Sequence, residues 1–152
     1  MSSWSQKIWS DWGIATSEPD EISRDPNVLW TTRCCRIKSK TGGIPQELYQ
    51  SSLPQRFLRR MAQLGVPHAI ISDLYGLHFP DVWMPFYDTA PSDLDIAQRQ
   101  TLGNLIGRQA RQRGLTLLSF YNNSPVMSRP YFEILSYSGL QIVYHTRLPE
   151  NI

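Results

Sequence analysis

Residues 28–35, VLWTTRCC, form the first run dense in β-branched and aromatic side chains, and they predict a strand. A second apolar run, HAIIS at 68–72, predicts another. Between them the pattern is helical. Ser52 and Gln55 form a capping box, Pro54 stands in the first turn and Gly65 follows the last, which predicts a helix over Ser52–Leu64. At the ~100° helical step, Phe57, Leu58, Met61, Ala62 and Leu64 share one side, and Arg56, Arg59, Arg60 and Gln63 the other. The strand–helix–strand order then repeats. Ser92 and Asp95 open a helix that runs to about Arg113 and stops at Gly114. Leu115–Phe120 (LTLLSF) is a strand, residues 130–138 a short helix stopped by Gly139, and Leu140–His145 (LQIVYH) the fourth strand. Short strands alternating with helices predict an α/β fold: a three-layer sandwich with a mostly parallel sheet and helices on both faces.

Outward from this framework, residues 28–152 make one domain, and residues 1–27 an appended segment. Trp4, Ile8, Trp9 and Trp12 fall on one stripe of a short helix, which predicts a brace packed on the domain. The alternative use of Trp4, Trp9 and Trp12 is to dock a protein partner. Residues 73–91 form a long irregular connection with three prolines, a length uncommon in a compact domain unless the loop carries function. The composition, 41% hydrophobic and 18% charged, excludes a disordered tail or a fibre. No apolar run approaches the ~20 residues of a membrane helix, and residues 1–12 lack the continuous apolar stretch of a secretory signal. A cytoplasmic protein without membrane contact is the expectation.

Charge is uneven. Residues 30–113 carry eleven Lys and Arg against six Asp and Glu, whereas residues 1–29 are acidic. A basic centre points to a polyanion, nucleic acid or nucleotide, as partner. The Arg56, Arg59 and Arg60 face is the candidate for backbone phosphates. The two cysteines, Cys34 and Cys35, are adjacent and seldom bridge in a strand, and His68, His78 and His145 lack metal-ligand spacing. Neither a metal nor a cofactor is expected.

In parallel α/β sheets ligands bind beyond the carboxyl ends of the strands. Cys34, Cys35, Arg36, Lys38 and Lys40 follow the first strand; Asp73, Tyr75, Gly76, Tyr87 and Asp88 follow the second; Asn122 and Asn123 follow the third; His145 ends the fourth. Rings to stack on, amides to read base edges and cations for phosphate suit a nucleobase or nucleotide. Asp88 or Asp73 would handle the proton, Arg36 and Lys38 would hold phosphate, and Tyr75 would stack on the base. A non-catalytic nucleic-acid-binding module, or a partner subunit docked through the tryptophans, are the other readings.

The run from CCRIKSK at 34–40 through ELYQSSL at 47–53 and AIISDLYGLHFPD at 69–81 to PFYDTAP at 85–91 resembles a family of small bacterial and phage domains. Its motif is Cys, a basic loop with Lys, Leu-Tyr-x-Ser, a strand into Ser-x-x-Tyr-Gly-Leu, and Pro-x-Tyr-Asp. A similar stretch occurs in the peroxide-stress protein YaaA, and a more distant one in the lysine-transferring core of archaeosine synthase, a domain related in fold to uracil-DNA glycosylases. The resemblance implies a glycosylase-like fold and an association with nucleic acids and modified bases. Its motif positions here are Cys34 or Cys35, Lys38, Leu48, Tyr49, Ser51, Ser72, Tyr75, Gly76, Leu77, Tyr87 and Asp88. Asp73 stands where relatives carry a small residue, and the basic loop lacks the Pro-Cys-x-x-Lys-Pro arrangement of archaeosine synthase. Together these give Cys34, Asp73 and Asp88 as candidate catalytic groups, and Arg36, Lys38, Tyr49, Ser51, Ser72, Tyr75, Gly76, Tyr87, Asn122 and Asn123 as candidate substrate contacts.

Overall fold

The structure, a computed structural model, describes residues 12–19 and 21–148. In chain order its elements are β1 (Ala15–Thr16), β2 (Val28–Arg33), α1 (Pro45–Leu48), α2 (Ser52–Leu64), β3 (His68–Ser72), β4 (Gly76–His78), a 3₁₀ turn (Pro91–Asp93), α3 (Ile96–Gln112), β5 (Leu117–Tyr121), α4 (Arg129–Ser136) and β6 (Gln141–His145). The fold is α/β. Six strands form one sheet in the order β1-β6-β5-β2-β3-β4, parallel throughout except for β4, which runs antiparallel to β3.

Strand alternation decides how the helices cover it. Val28, Trp30 and Ile70 face α2 and pack with Phe57, Leu58, Met61 and Leu64. Leu29, Ala69 and Ile71 face the other way and pack with Leu102, Ile106 and Ala110 of α3 and Phe132 and Leu135 of α4. Parallel strands buried on both faces read as continuous apolar runs, which is why period-2 polarity is missing from 68–72. Each fully buried Leu, Ile or Phe contributes about 1.5–3 kcal/mol to this arrangement.

The structure shifts several expected boundaries. The first strand ends at Arg33, and Cys34 and Cys35 already belong to the turn beyond it. The capping box expected from Ser52 and Gln55 does not form. The N-cap is Ser51, and the Gln55 amide instead donates to the carbonyls of Gln46 and Tyr49, tying α2 to the end of α1. Asp95 does cap α3, reciprocally with Gln98. The connection 73–91 is not wholly irregular, because it holds β4. Three residues are too few to register as a period. The same holds for β1, which pairs with β6 and builds the described part of the N-terminal segment into the sheet. Ile14 and Ile22 are buried in the two cores, and the Trp12 ring lies 6.4 Å from that of Phe132. Trp4 and Trp9, with the helix expected around them, lie outside the described residues. Among the described residues no helix is long and apolar enough to cross a membrane.

The path that positions the site starts at β2. From its carboxyl end the chain crosses the α2 face to reach β3; from the end of β5 it crosses the opposite face through α4 to reach β6. Since β2 and β5 are neighbours, the two loops diverge and leave a crevice between them. Ligand sites in open α/β sheets form at such switch points.

Candidate functional site

That crevice is a cleft of about 490 Å³ lined by Arg33 at the end of β2, Cys34, Cys35, Arg36 and Lys38 beyond it, Asp73 after β3, Asp88 to Pro91, and Met127 and Tyr131. Register explains the first contact. Arg33 pairs with Ile71, and the Cys34 N–H donates to the Ile71 carbonyl at 3.0 Å. Cys34 and Asp73 thus leave adjacent strand ends together, and the Cys34 thiol donates to Asp73 Oδ2 at 3.2 Å.

Asp73 is 3% exposed, and its Oδ1 is buried with no donor at hydrogen-bonding distance among the described residues. Burial raises its carboxyl to about 6, although the Cys34 thiol, the Tyr131 hydroxyl and the Lys38 charge all favour ionisation. Burial, and the negative charge of Asp73, push Cys34 up to about 12. Cys34 is therefore a thiol donor to the carboxyl at neutral pH, not the thiolate that nucleophilic attack needs.

A second chain of hydrogen bonds runs beneath the cleft. The carbonyl of Val82 can only accept, so His78 Nε2 carries the proton it donates there at 2.6 Å. Burial lowers the His78 pKa and keeps the ring neutral, which makes Nδ1 an acceptor. The Tyr49 hydroxyl donates to it at 3.0 Å and accepts from the Tyr87 hydroxyl at 3.1 Å. Burial raises both phenols well above their ordinary value. Tyr87 in turn offers its ring face to Lys38, whose Nζ stands 4.4 Å above the ring centroid. Lys38 is 9% exposed, and no carboxylate of the described residues lies within 4.0 Å of it. It lines the cleft and has no hydrogen-bond acceptor among the described residues.

Two loops deliver these groups. The basic loop is held by a bridge between Lys38 and Tyr49 and is zipped to the 79–91 segment by paired backbone bonds between Gly43 and Met84. Folding the second segment back in this way brings Asp88, an exposed residue, to line the same cleft as Lys38.

Of the residues singled out from the sequence, Cys34, Cys35, Arg36, Lys38, Asp73 and Asp88 meet in the cleft, with Tyr49 and Tyr87 beneath Lys38. Others do not reach it. Ser72 is fully buried, and its Oγ accepts from the backbone N–H groups of Leu74 and Tyr75, making the turn out of β3. Tyr75 lies behind Tyr87, ring centroids 5.1 Å apart, and its hydroxyl donates to the Pro85 carbonyl. The close approach at Gly76 comes from the protein itself: Gln109 of α3 accepts from Leu77 N–H and donates to the Tyr75 carbonyl. A Cβ on Gly76, at φ 76°, would stand 2.5 Å from the Gln109 oxygen. Ser51 stands at the N-cap position of α2, its side chain making no capping bond, and does not line the cleft. Asn122 is fully buried between Ser128 and Arg33, holding the Arg33 Nε at 3.1 Å, and Asn123 is exposed away from the cleft. Arg56, Arg59 and Arg60 line a separate depression. His145 stacks on Trp30, bonds to the Ser17 carbonyl and is not among the residues that line the cleft.

Three contributors carried no signal in the sequence. Arg33 closes a strand, Tyr131 sits on a helix facing the core, and His78 lies in the unread β4; each reaches the site only through packing. Among the described residues no group of three or more His, Cys, Asp or Glu is placed to hold a metal ion. The chain matches no protein-family model, no curated protein and no solved structure.

Proposed function

We propose that the chain is a nucleobase- or nucleotide-directed enzyme, performing base modification or glycosylase-like chemistry in the cleft beyond β2 and β3. One observation carries the reading: a buried carboxyl that changes protonation at about pH 6 shares a cleft with a buried lysine ammonium and two arginines at its rim. A proton donor and acceptor is most effective when its pKa lies near the working pH. Asp73 Oδ1 is the open valence that would exchange a proton with a ring nitrogen or exocyclic group. Lys38, Arg33 and Arg36 would hold a phosphate or an anionic leaving base, and Met127, Ala90 and Pro91 supply apolar surface for a flat ring. The volume falls in the ~300–1,000 Å³ range of small-ligand sites.

The carboxyl also favours an enzyme over a module that only grips phosphates. An acidic group placed among cations weakens backbone binding and has no purpose there, whereas proton transfer requires it. Helices on both faces of a mostly parallel sheet support the glycosylase-like reading of the fold.

The test is titration of the four nucleoside monophosphates and their free bases by calorimetry and by NMR of Met127 methyl resonances. At least one binds, Lys38→Met weakens it about tenfold or more, as expected for a lost charged hydrogen bond, and Asp73→Asn abolishes turnover of the bound compound. Absence of any perturbation at millimolar ligand overturns the reading.

A further inference from the structure

The second depression at the carboxyl edge lies on the α2 side of the sheet, has a volume of about 530 Å³, and is lined by Leu53, Arg56, Phe57, Arg59, Arg60, Gln63, Tyr121, Arg147 and Leu148. Four arginines meet there from two distant parts of the chain. Arg56, Arg59, Arg60 and Gln63 are spaced three and four apart on α2, so they share the face opposite Phe57, Leu58 and Met61. Arg147 joins them from the segment after β6.

This grouping works against the fold. Like charges three or four apart on a helix repel by a few tenths of a kcal/mol per pair, and the first turn of α2 carries no acidic residue. Among the described residues no carboxylate lies within 4.0 Å of Arg56 or Arg59, and Arg147 approaches Glu18 only at 3.9 Å. Two other arginines do find acceptors: Arg99 pairs with Glu133, and Arg111 donates to the Ser138 carbonyl. At Arg56 and Arg59 the like charges stand together with no carboxylate of the described residues beside them, and local rules broken in this way mark places kept for a ligand.

Position selects the ligand. Tyr121 ends β5 and pairs with Thr32, the residue before Arg33, so the depression and the cleft flank the same two strand ends on opposite faces of the sheet. We propose that the arginine depression is a track for the phosphate backbone of single-stranded nucleic acid, entering the cleft with one nucleotide. The cleft half of this statement rests on the function proposed above; the track rests on the arginines alone. Unpaired nucleic acid fits better than duplex, because a base inside the cleft must be unstacked and the partly exposed Tyr121 ring offers it a stacking face.

The test is fluorescence anisotropy of a labelled twelve-nucleotide oligouridylate across a salt series, beside unlabelled uridine monophosphate, a duplex of equal length and polyglutamate. Wild-type protein should bind the oligonucleotide more tightly than the mononucleotide, the duplex or polyglutamate. Three to four phosphate contacts give a log–log salt slope of roughly −2 to −3, at about 0.7 per contact. The triple variant R56A/R59A/R147A should lose at least tenfold in affinity and about 2 in slope, with circular dichroism confirming that the substituted surface leaves the fold intact. Binding that the triple variant retains, or equal binding of polyglutamate or duplex, overturns the track. Mononucleotide binding with no gain from the longer chain overturns the track and leaves the cleft reading standing. Arginine-dependent oligonucleotide binding with no mononucleotide binding supports the track and removes the cleft reading.

Discussion

Asp73 is the residue on which the chemistry turns, and its burial carries a cost with a definite sign. In the unfolded chain the carboxyl ionises at its ordinary 3.8, and in the fold at about 6. The protonated form is favoured by folding, so the native state holds this contribution in full below pH 4 and loses it as pH rises through 6. The loss amounts to about 3 kcal/mol. Asp73→Asn cannot ionise. The difference in unfolding free energy between variant and wild type should therefore move by about 3 kcal/mol in the variant's favour between pH 3 and pH 7, read by urea denaturation. The buried histidines, which destabilise in the opposite direction as pH falls, cancel in that difference. Parallel curves would show that Asp73 titrates normally. Tyr49 tests the layer beneath. Tyr49→Phe keeps the ring but leaves His78 Nδ1 without its donor and Tyr87 without its acceptor, at an expected cost of about 1–3 kcal/mol. A change below about 0.5 kcal/mol would mean that water replaces the hydroxyl.

Among the elements, α3 and α4 are joined by absence of side chain. A Cβ at Gly103 would stand 2.2 Å from the Ile134 carbonyl oxygen, and one at Gly107 2.1 Å from that of Ser138. Those atoms are backbone and cannot step aside, so the helices would have to part. Alanine at either position gains about 1 kcal/mol of helix propensity, yet overpacking should outweigh it. Gly103→Ala and Gly107→Ala are each expected to destabilise by about 2 kcal/mol or more by chemical denaturation, while Asn104→Ala, on the exposed side of the same turn, should be near neutral. Stability unchanged at both glycines would mean the helix pair has slack. Since α4 carries Tyr131 into the cleft, loosening the pair should also weaken ligand binding.

At the scale of the whole molecule, two apolar cores sit on the two faces of one sheet, and every residue of β2 and β3 belongs to one or the other or bonds across the strands. Neither core survives without the sheet, so unfolding should be a single transition. Leu58→Ala on the α2 side and Ile106→Ala on the α3 side are each expected to cost about 2–5 kcal/mol, and each should shift the fluorescence and circular-dichroism curves together. Two separated transitions in either variant would show that the faces unfold independently. What the amino-acid order determined by itself was whatever is local. Apolar runs at 28–35, 68–72, 115–120 and 140–145 and the amphipathic pattern of 52–64 name four strands and α2 to within about two residues, because periodicity and end signals act within a few residues. From those strands alone followed the edge at which to look for a site, and the meeting of Cys34, Lys38, Asp73 and Asp88 there. Tertiary structure decided the rest. The two- and three-residue strands β1 and β4 exist only because long neighbours supply their hydrogen bonds. Ser72, Gly76 and Asn122 read as substrate contacts at or beyond strand ends, but packing turned them to the turn, to Gln109 and to Arg33 rather than to a ligand. The protonation of Asp73 and Cys34 was fixed last, since burial, and not residue type, sets which charged forms the fold can hold.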